Sequence, residues 1–296
     1  MLQNKSIMEV VRKHRLKFLT LSMFLSCCLN TSCSLKNPNK NLYDDPSGLS
    51  NTLLEKDPSK TISDYSAKEV LYIVNTEFSK APIFFTEVTG DVEAGAYNQK
   101  IRSRRWKTND EIVSETISTS ALVKVGDQSY FKDEMVISRK ADKISSLTSV
   151  TWGTDYQKSD HERYKKKYGE LPSYLSHYIF NDNSIKKATQ ISEDGERYVY
   201  EYLLDNYKAT PKYQIKMKTN GDLADYPKFE KIVLTLTVSK DFLPIEIVID
   251  EDYTMNKTVL GANLHLSCNG QMKETFSFNT EDSLIPPAYL EFFRGK

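Results

Sequence analysis

Few residues in this chain are spaced for catalysis. The four histidines, His14, His161, His177 and His265, fall in no HExxH, HxH or Cys/His pattern, so no metal site is legible. GxSxG, GxxxxGK[ST] and GxGxxG are all absent, which removes the signals for a serine nucleophile elbow and for glycine loops that cradle phosphates. The acidic run Asp250-Glu251-Asp252 lacks EF-hand order and reads as a solvated turn at a strand end. Paired carboxylates of a glycosidase are recognised by separation in space, not in sequence, so spacing says nothing about them. The expectation is a protein without catalysis, metal or cofactor.

Binding chemistry is better represented. Arg102, Arg104 and Arg105 flank Trp106 in one alternating segment, either as a solvated strand face or as a site for a ligand carboxylate or headgroup. Tyrosine is enriched at 18 residues, clustered at 164, 168, 174 and 178 and again at 198, 200, 202 and 207. Its apolar body and polar tip suit both a core edge and a binding surface. If the protein holds a ligand, Tyr178, Tyr200, Tyr202 and Trp106 are the expected contacts. Three of the four cysteines, Cys27, Cys28 and Cys33, precede the folded part, so no disulfide framework staples the domain. Cys268 lies on the apolar phase of its strand and reads as a buried, inert thiol.

The elements that must position these side chains centre on 229–279. Ile232, Leu234, Leu236, Val238, then Ile245, Ile247, Ile249, then Leu264, Leu266, Cys268, then Phe276 and Phe278 recur every second residue. That period puts one apolar face on a sheet. Short connectors at 240–242, 254–257 and Asn269-Gly270 read as turns, hence antiparallel pairing. Upstream, alternating segments at 83–88, 96–106, 111–119, 121–125, 128–131 and 135–137 extend the meander. Gly90, Gly95, Thr108-Asn109-Asp110 and Gly126-Asp127 part them. Ser66 and Glu69 form a capping-box pattern for a helix with Val70, Ile73, Val74 and Phe78 on one face, stopped by Pro82. Residues 155–190 read as a helical insert, with helices from Tyr174 and over 183–189, placed to cover one face or mouth of the sheet. A tyrosine-dense strand follows at 197–205, then the segment 213–218. The apolar tail 284–293 is expected to dock on the fold. The fold class is therefore mainly β (α+β), a large curved antiparallel sheet or half-barrel with a few helices covering one face.

With 39% apolar and 27% charged residues, the chain is globular in composition. Five basic residues and one acidic lie in 1–27, leaving 35 basic against 39 acidic beyond them. Such a weakly acidic body disfavours a nucleic-acid partner. The start has a basic region, then a short apolar run over 18–25, then small residues. That run is too short to span ~30 Å of hydrocarbon and reads as a cleaved export signal. Phe24-Leu25-Ser26-Cys27, and the overlapping Leu25-Ser26-Cys27-Cys28, resemble the lipobox of bacterial lipoproteins; Asn30-Thr31-Ser32-Cys33 matches less well. The resemblance implies a signal peptide over 1–27, lipid attachment at Cys27 or Cys28, and a membrane anchor on the extracytoplasmic face. A polar stretch over 28–62 reads as a flexible tether to one β-rich domain at 63–296.

The strand order over 198–279, with Lys240-Asp241-Phe242-Leu243-Pro244 leading into Ile245-Glu246-Ile247, resembles the LolA/LppX-like lipoprotein carriers. In that family a half-barrel's concave face and a helical lid hold acyl chains. The insert 155–190 and the lack of a second carrier domain depart from it. The resemblance implies a membrane-anchored protein binding a lipid or other apolar ligand. The alternative is a surface interaction or structural lipoprotein of the cell envelope, serving a protein or polysaccharide partner.

Overall fold

Alternation of apolar and polar residues builds the whole frame. The computed structural model describes residues 49–95, 97–121, 124–259 and 262–296. It contains β1 (Phe84–Ala94), β2 (Tyr97–Lys107), β3 (Glu111–Ser120), β4 (Lys124–Lys132), β5 (Met135–Ser146) and β6 (Ser149–Asp160). The second half supplies β7 (Ile185–Glu193), β8 (Arg197–Leu204), β9 (Lys228–Ser239), β10 (Pro244–Val259) and β11 (Ala262–Ser277). All eleven form one open antiparallel sheet in the order β6-β5-β4-β3-β2-β1-β11-β10-β9-β8-β7. Two meanders thus meet where β1 pairs with β11, for example Thr86 against Phe276. Because β6 and β7 are the two opposite edges, the chain between them has to cross the sheet.

Among the described residues four α-helices accompany the sheet: α1 (Ala67–Lys80), α2 (His161–Tyr168), α3 (Pro211–Gly221) and α4 (Pro287–Arg294). At the start of α1, Glu69 N–H donates to Ser66 Oγ at 3.3 Å while Ser66 N–H donates to the Glu69 carboxylate at 2.8 Å. This reciprocal bonding satisfies two otherwise orphaned amides. Val70, Ile73, Val74 and Phe78 are all fully buried, and Phe78 stacks on Phe84 with ring centroids 4.8 Å apart. They pack with Tyr200, Tyr202, Leu234, Leu236 and Ile247, the inward phase of β8 to β10. The other face of the sheet is covered at β2 to β5 by α4, where Phe293 stacks on Tyr130 at 5.4 Å beside Trp106, Val113 and Ile137.

Several boundaries differ from the sequence reading. Asn269-Gly270 is no turn but lies inside β11, opposite Asp252 and Glu251 of β10. A side chain at 270 would sit 3.1 Å from Glu251 Cγ, so the glycine there makes room for a buried glutamate. Residues 254–257 continue β10, while Gly90 and Gly126 lie within β1 and β4. The insert 155–190 is largely not helical: β6 runs to Asp160, α2 supplies eight residues, and 183–189 enters β7. The segment 213–218 is helical, inside α3. From Ser50 onward the expected tether is laid on the domain. Thr52 N–H donates to Phe180 O at 2.7 Å, Leu54 N–H to Thr76 Oγ1 at 3.0 Å, and Ile62 is 1% exposed. The signal segment 1–27, with Cys27 and Cys28, lies outside the described residues.

The two faces of β9 give a direct check of this register. Leu234→Ala is expected to lower the unfolding free energy by about 2–5 kcal/mol, and the neighbouring Thr235→Ala, on the opposite face, by less than about 1 kcal/mol, both read from urea denaturation.

Candidate functional site

The crossing chain and α3 leave space beneath them. A cavity of about 230 Å³ lies between the inner face of the sheet and these covering segments. Its wall is apolar along Val88, Val92, Ile101, Ile249, Leu266 and Met272, and polar at Arg105, Tyr174, His177 and Lys216. A smaller annex of about 40 Å³ shares those four polar residues and is otherwise rich in hydroxyls, from Ser103, Ser114, Thr116, Ser129, Tyr164 and Tyr168. The inner face therefore changes character along the sheet. Its β8 to β11 half is hydrocarbon apart from Glu251 and Glu274, whereas the inward phase of β2 to β4 carries Gln99, Ser103, Arg105, Thr116, Ser118 and Asp127 beside Ile101 and Val125.

Arg105 fastens the cover to the sheet. It is 3% exposed; its Nε donates to Thr86 Oγ1 at 2.9 Å, and its Nη1 to the carbonyls of Tyr174 at 2.6 Å and Pro172 at 3.3 Å. Nη2 pairs with the Glu274 carboxylate on β11. The Tyr174 carbonyl, the first that a helix from Tyr174 would use internally, is thus already occupied, and the segment stays irregular. Its other backbone groups find partners the same way: Ile179 N–H donates to Ala209 O at 2.9 Å and Phe180 N–H to Asn51 Oδ1 at 2.8 Å. Gly169, with φ of +87°, lets the end of α2 meet α3 closely; a Cβ there would lie 2.4 Å from Lys212 O.

On α3, Lys216 Nζ donates to Tyr174 Oη at 3.1 Å and to His177 Nε2, and the Tyr174 hydroxyl lies 2.7 Å from the same ring nitrogen. Burial pushes Lys216 down to about 7, helped by the Arg105 charge and opposed by Glu274 and Glu170. His177 is held well below its usual range, first by burial and then by Lys216, Arg105 and Lys212. Its neutral ring is an acceptor for the ammonium. Nearby, Glu251 is 1% exposed and accepts from Tyr178 Oη and, at 3.2 Å, from Tyr213 Oη. Burial pushes its carboxyl up to about 7 although both phenols pull the other way. Cys268 is 4% exposed with its thiol pushed up by burial to about 11.

Of the ligand contacts read from the sequence, Tyr178 lines the cavity. Tyr200 and Tyr202 share its face of the sheet but belong to the core packed with α1, Tyr202 Oη donating to Ala67 O at 2.7 Å. Trp106 is one residue out of phase with Arg105 and so projects to the far face, against Phe85 and Tyr289 at 5.4 and 5.7 Å. Arg102 and Arg104 are on that far face too, bonded to Glu87 at 2.7 Å and to Glu115 at 3.0 Å. Residues the sequence reading missed are Lys216, Glu274 and Glu251. Glu251 is no solvated turn residue, and Lys216 shares helical spacing with Tyr213, Met217 and Asn220, all of which line the cavity.

No protein-family model and no curated protein matches the chain. Among solved structures it is similar to a DUF1329 family protein from Desulfovibrio piger, at 10% identity and TM-score 0.24 over 71% of this chain and 90% of that one. It is also similar to a LolA superfamily protein from Nitrosomonas europaea, at 12% identity and TM-score 0.22 over 72% and 92%. A porin-like protein from Bacteroides uniformis matches at 6% identity and TM-score 0.20 over 67% and 96%. Scores this low assign no family, so the cavity itself has to carry any functional reading.

Glu251 makes stability depend on pH with a definite sign. The folded state keeps its proton up to about pH 7, whereas the unfolded chain releases it near the ordinary 4.5. The folded state binds more protons in that window, so stability falls as pH rises through it. Relative to wild type, Glu251→Gln is expected to gain up to about 3 kcal/mol between pH ~4.5 and ~7.5 in urea titrations, because the amide has no proton to lose.

Proposed function

We propose that this protein is a non-catalytic binding module for a small, mainly apolar ligand, held at the extracytoplasmic face of a membrane by lipid on Cys27 or Cys28. The observation that carries the reading is the cavity of about 230 Å³ walled by hydrocarbon on most sides. An apolar cavity of about 150 Å³ admits benzene, and sites for drug-sized ligands begin near ~300 Å³. The space here fits between the two. One short acyl chain or one ring system matches it, and a two-chain lipid wholly enclosed does not.

The cover supports the same reading. The cover packs Leu175, Tyr178, Tyr213 and Met217 into the core beside the space, and it is also tied at polar points, Arg105 with the carbonyls above it and Glu251 with Tyr178 and Tyr213, which fix its height. The lipid anchor rests on the N-terminal pattern of basic, apolar and small residues before the paired cysteines.

Two measurements test the proposal. A neutral fluorophore that brightens in apolar surroundings, N-phenylnaphthylamine, is expected to bind the wild type. Ile101→Trp, which fills the cavity from β2, should weaken that binding by about tenfold or more with the chain still folded by circular dichroism. Equal binding by both proteins would place the dye elsewhere and remove the basis for the reading. In cells, radiolabelled palmitate is expected to enter the wild type and to be lost from the Cys27→Ala/Cys28→Ala double variant; retained label would move the acceptor to Cys33 or further on.

A further inference from the structure

Lys216 is a half-buried amine lining the cavity, and among the described residues no carboxylate is bonded to it. Its hydrogen bonds go to Tyr174 and His177, and His177 is kept neutral. The carboxylates nearest in effect are already engaged, Glu274 by Arg105 and Glu170 by Lys212 at 2.9 Å. One other acidic side chain lines the space among the described residues, Asp127 on β4, and burial pushes its carboxyl toward the neutral form against the pull of Lys140 and Lys167. Arg105 adds to the positive potential. Removing a charge from water without a counter-ion is costly, which is why the amine is pushed down to about 7.

The amine also stands at a boundary. Lys216, Tyr174 and His177 line both the apolar cavity and the hydroxyl-rich annex, so one ligand can place hydrocarbon on one side of them and oxygen on the other. The annex, at about 40 Å³, has room for roughly three waters. That accommodates a carboxylate and excludes a bulky headgroup.

We propose that the ligand is a single-chain carboxylate, its head bonded by Lys216 and Tyr174 and its chain laid along Ile101, Leu266 and Met272. This rests on the cavity being the binding site, and names the ligand class for it. The anion supplies the counter-charge that Lys216 lacks. Ser103 Oγ already donates to Glu115 O at 3.0 Å, so of the two annex hydroxyls at this point Thr116, which shares a 2.9 Å bond with Ser103 Oγ, is the one that can turn to donate to the second oxygen.

The test compares decanoate with decanol as displacers of N-phenylnaphthylamine from the full chain at pH ~7. Wild type is expected to favour decanoate by about tenfold or more, the worth of a charge-assisted hydrogen bond. Lys216→Met should abolish that preference while leaving decanol within about twofold, and Lys216→Arg should keep most of it. Equal displacement by acid and alcohol in the wild type, with the dye still sensitive to Ile101→Trp, would overturn the carboxylate assignment and leave the apolar cavity standing. An equal loss of both ligands in Lys216→Met would also overturn it, since the residue would then be holding the cover and not the head. Failure of the dye and of both ligands to enter the wild type would sink the inference together with the binding site.

Discussion

Taking a guanidinium out of water costs several kcal/mol unless its donors find acceptors, and Arg105 meets that demand from three separate parts of the chain. Thr86 is on the adjacent strand, Glu274 one strand further, and the carbonyls of Pro172 and Tyr174 come from the segment above. The pair with Glu274 alone would be weak evidence of stability, since buried ion pairs often do no better than hydrocarbon of equal volume. Its value here is geometric. The link from β6 to β7 must travel from one sheet edge to the other, and a guanidinium fork fixes where along the inner face it passes and how high.

Having that link pinned at polar points divides the inner face into two environments. Over β8 to β10, α1 lies directly on Tyr200, Tyr202, Leu234 and Leu236, and space is filled. Over β2 to β4 the inward residues are mostly polar, with Ile101 and Val125 among hydroxyls, Gln99, Arg105 and Asp127, so the sheet offers little hydrocarbon for the cover to settle onto. The outer face shows what these same strands do when they are filled. There a ladder runs from Arg104 to Glu115 at 3.0 Å, Glu115 to Gln128 at 3.0 Å and Gln128 to Arg139 at 2.9 Å, closed from above by Tyr289 Oη on Glu115 at 2.6 Å. Every polar group in it has a partner under α4. Arg139 is flanked by Phe292, with its Cζ 3.9 Å from the ring centroid.

Legibility in the sequence followed the range of the forces involved. The sheet was readable because alternation is local: Leu234, Leu236, Ile247 and Cys268 each point inward as their phase requires. The α1 cap was readable for the same reason, Ser66 and Glu69 being three residues apart. The crossing segment was not. Tyr174, Leu175, Tyr178 and Ile179 have helical spacing, but the carbonyls of Pro172 and Tyr174 at the head of the run are held by a side chain 67 and 69 residues away. Glu251 was misread for a related reason. An Asp-Glu-Asp run ordinarily marks solvent, and only the pairing of residue 251 with Gly270 shows that the middle carboxylate has been given room inside. The tyrosines divided accordingly: phase alone sends Tyr200 and Tyr202 inward, but which inward residues are covered by α1 and which face the cavity is set by helices placed from elsewhere in the chain.

Space that side chains leave unfilled is itself costly. Measured against core truncations, at about 24 cal/mol per Å³, a closed dry volume of about 230 Å³ would cost roughly 5 kcal/mol, and a space that is partly open and polar on one side costs a fraction of that. Collapse of the cover would recover part of that. What prevents it is that lowering 171–178 would push the Pro172 and Tyr174 carbonyls past their bonding distance from Arg105 and displace the Tyr178 hydroxyl from Glu251, leaving charged or polar groups buried without partners. Each such loss is worth about 1–3 kcal/mol and more for a charge. The polar pillars therefore outweigh the pull of the void, and the apolar chamber persists as a consequence of the groups that surround it.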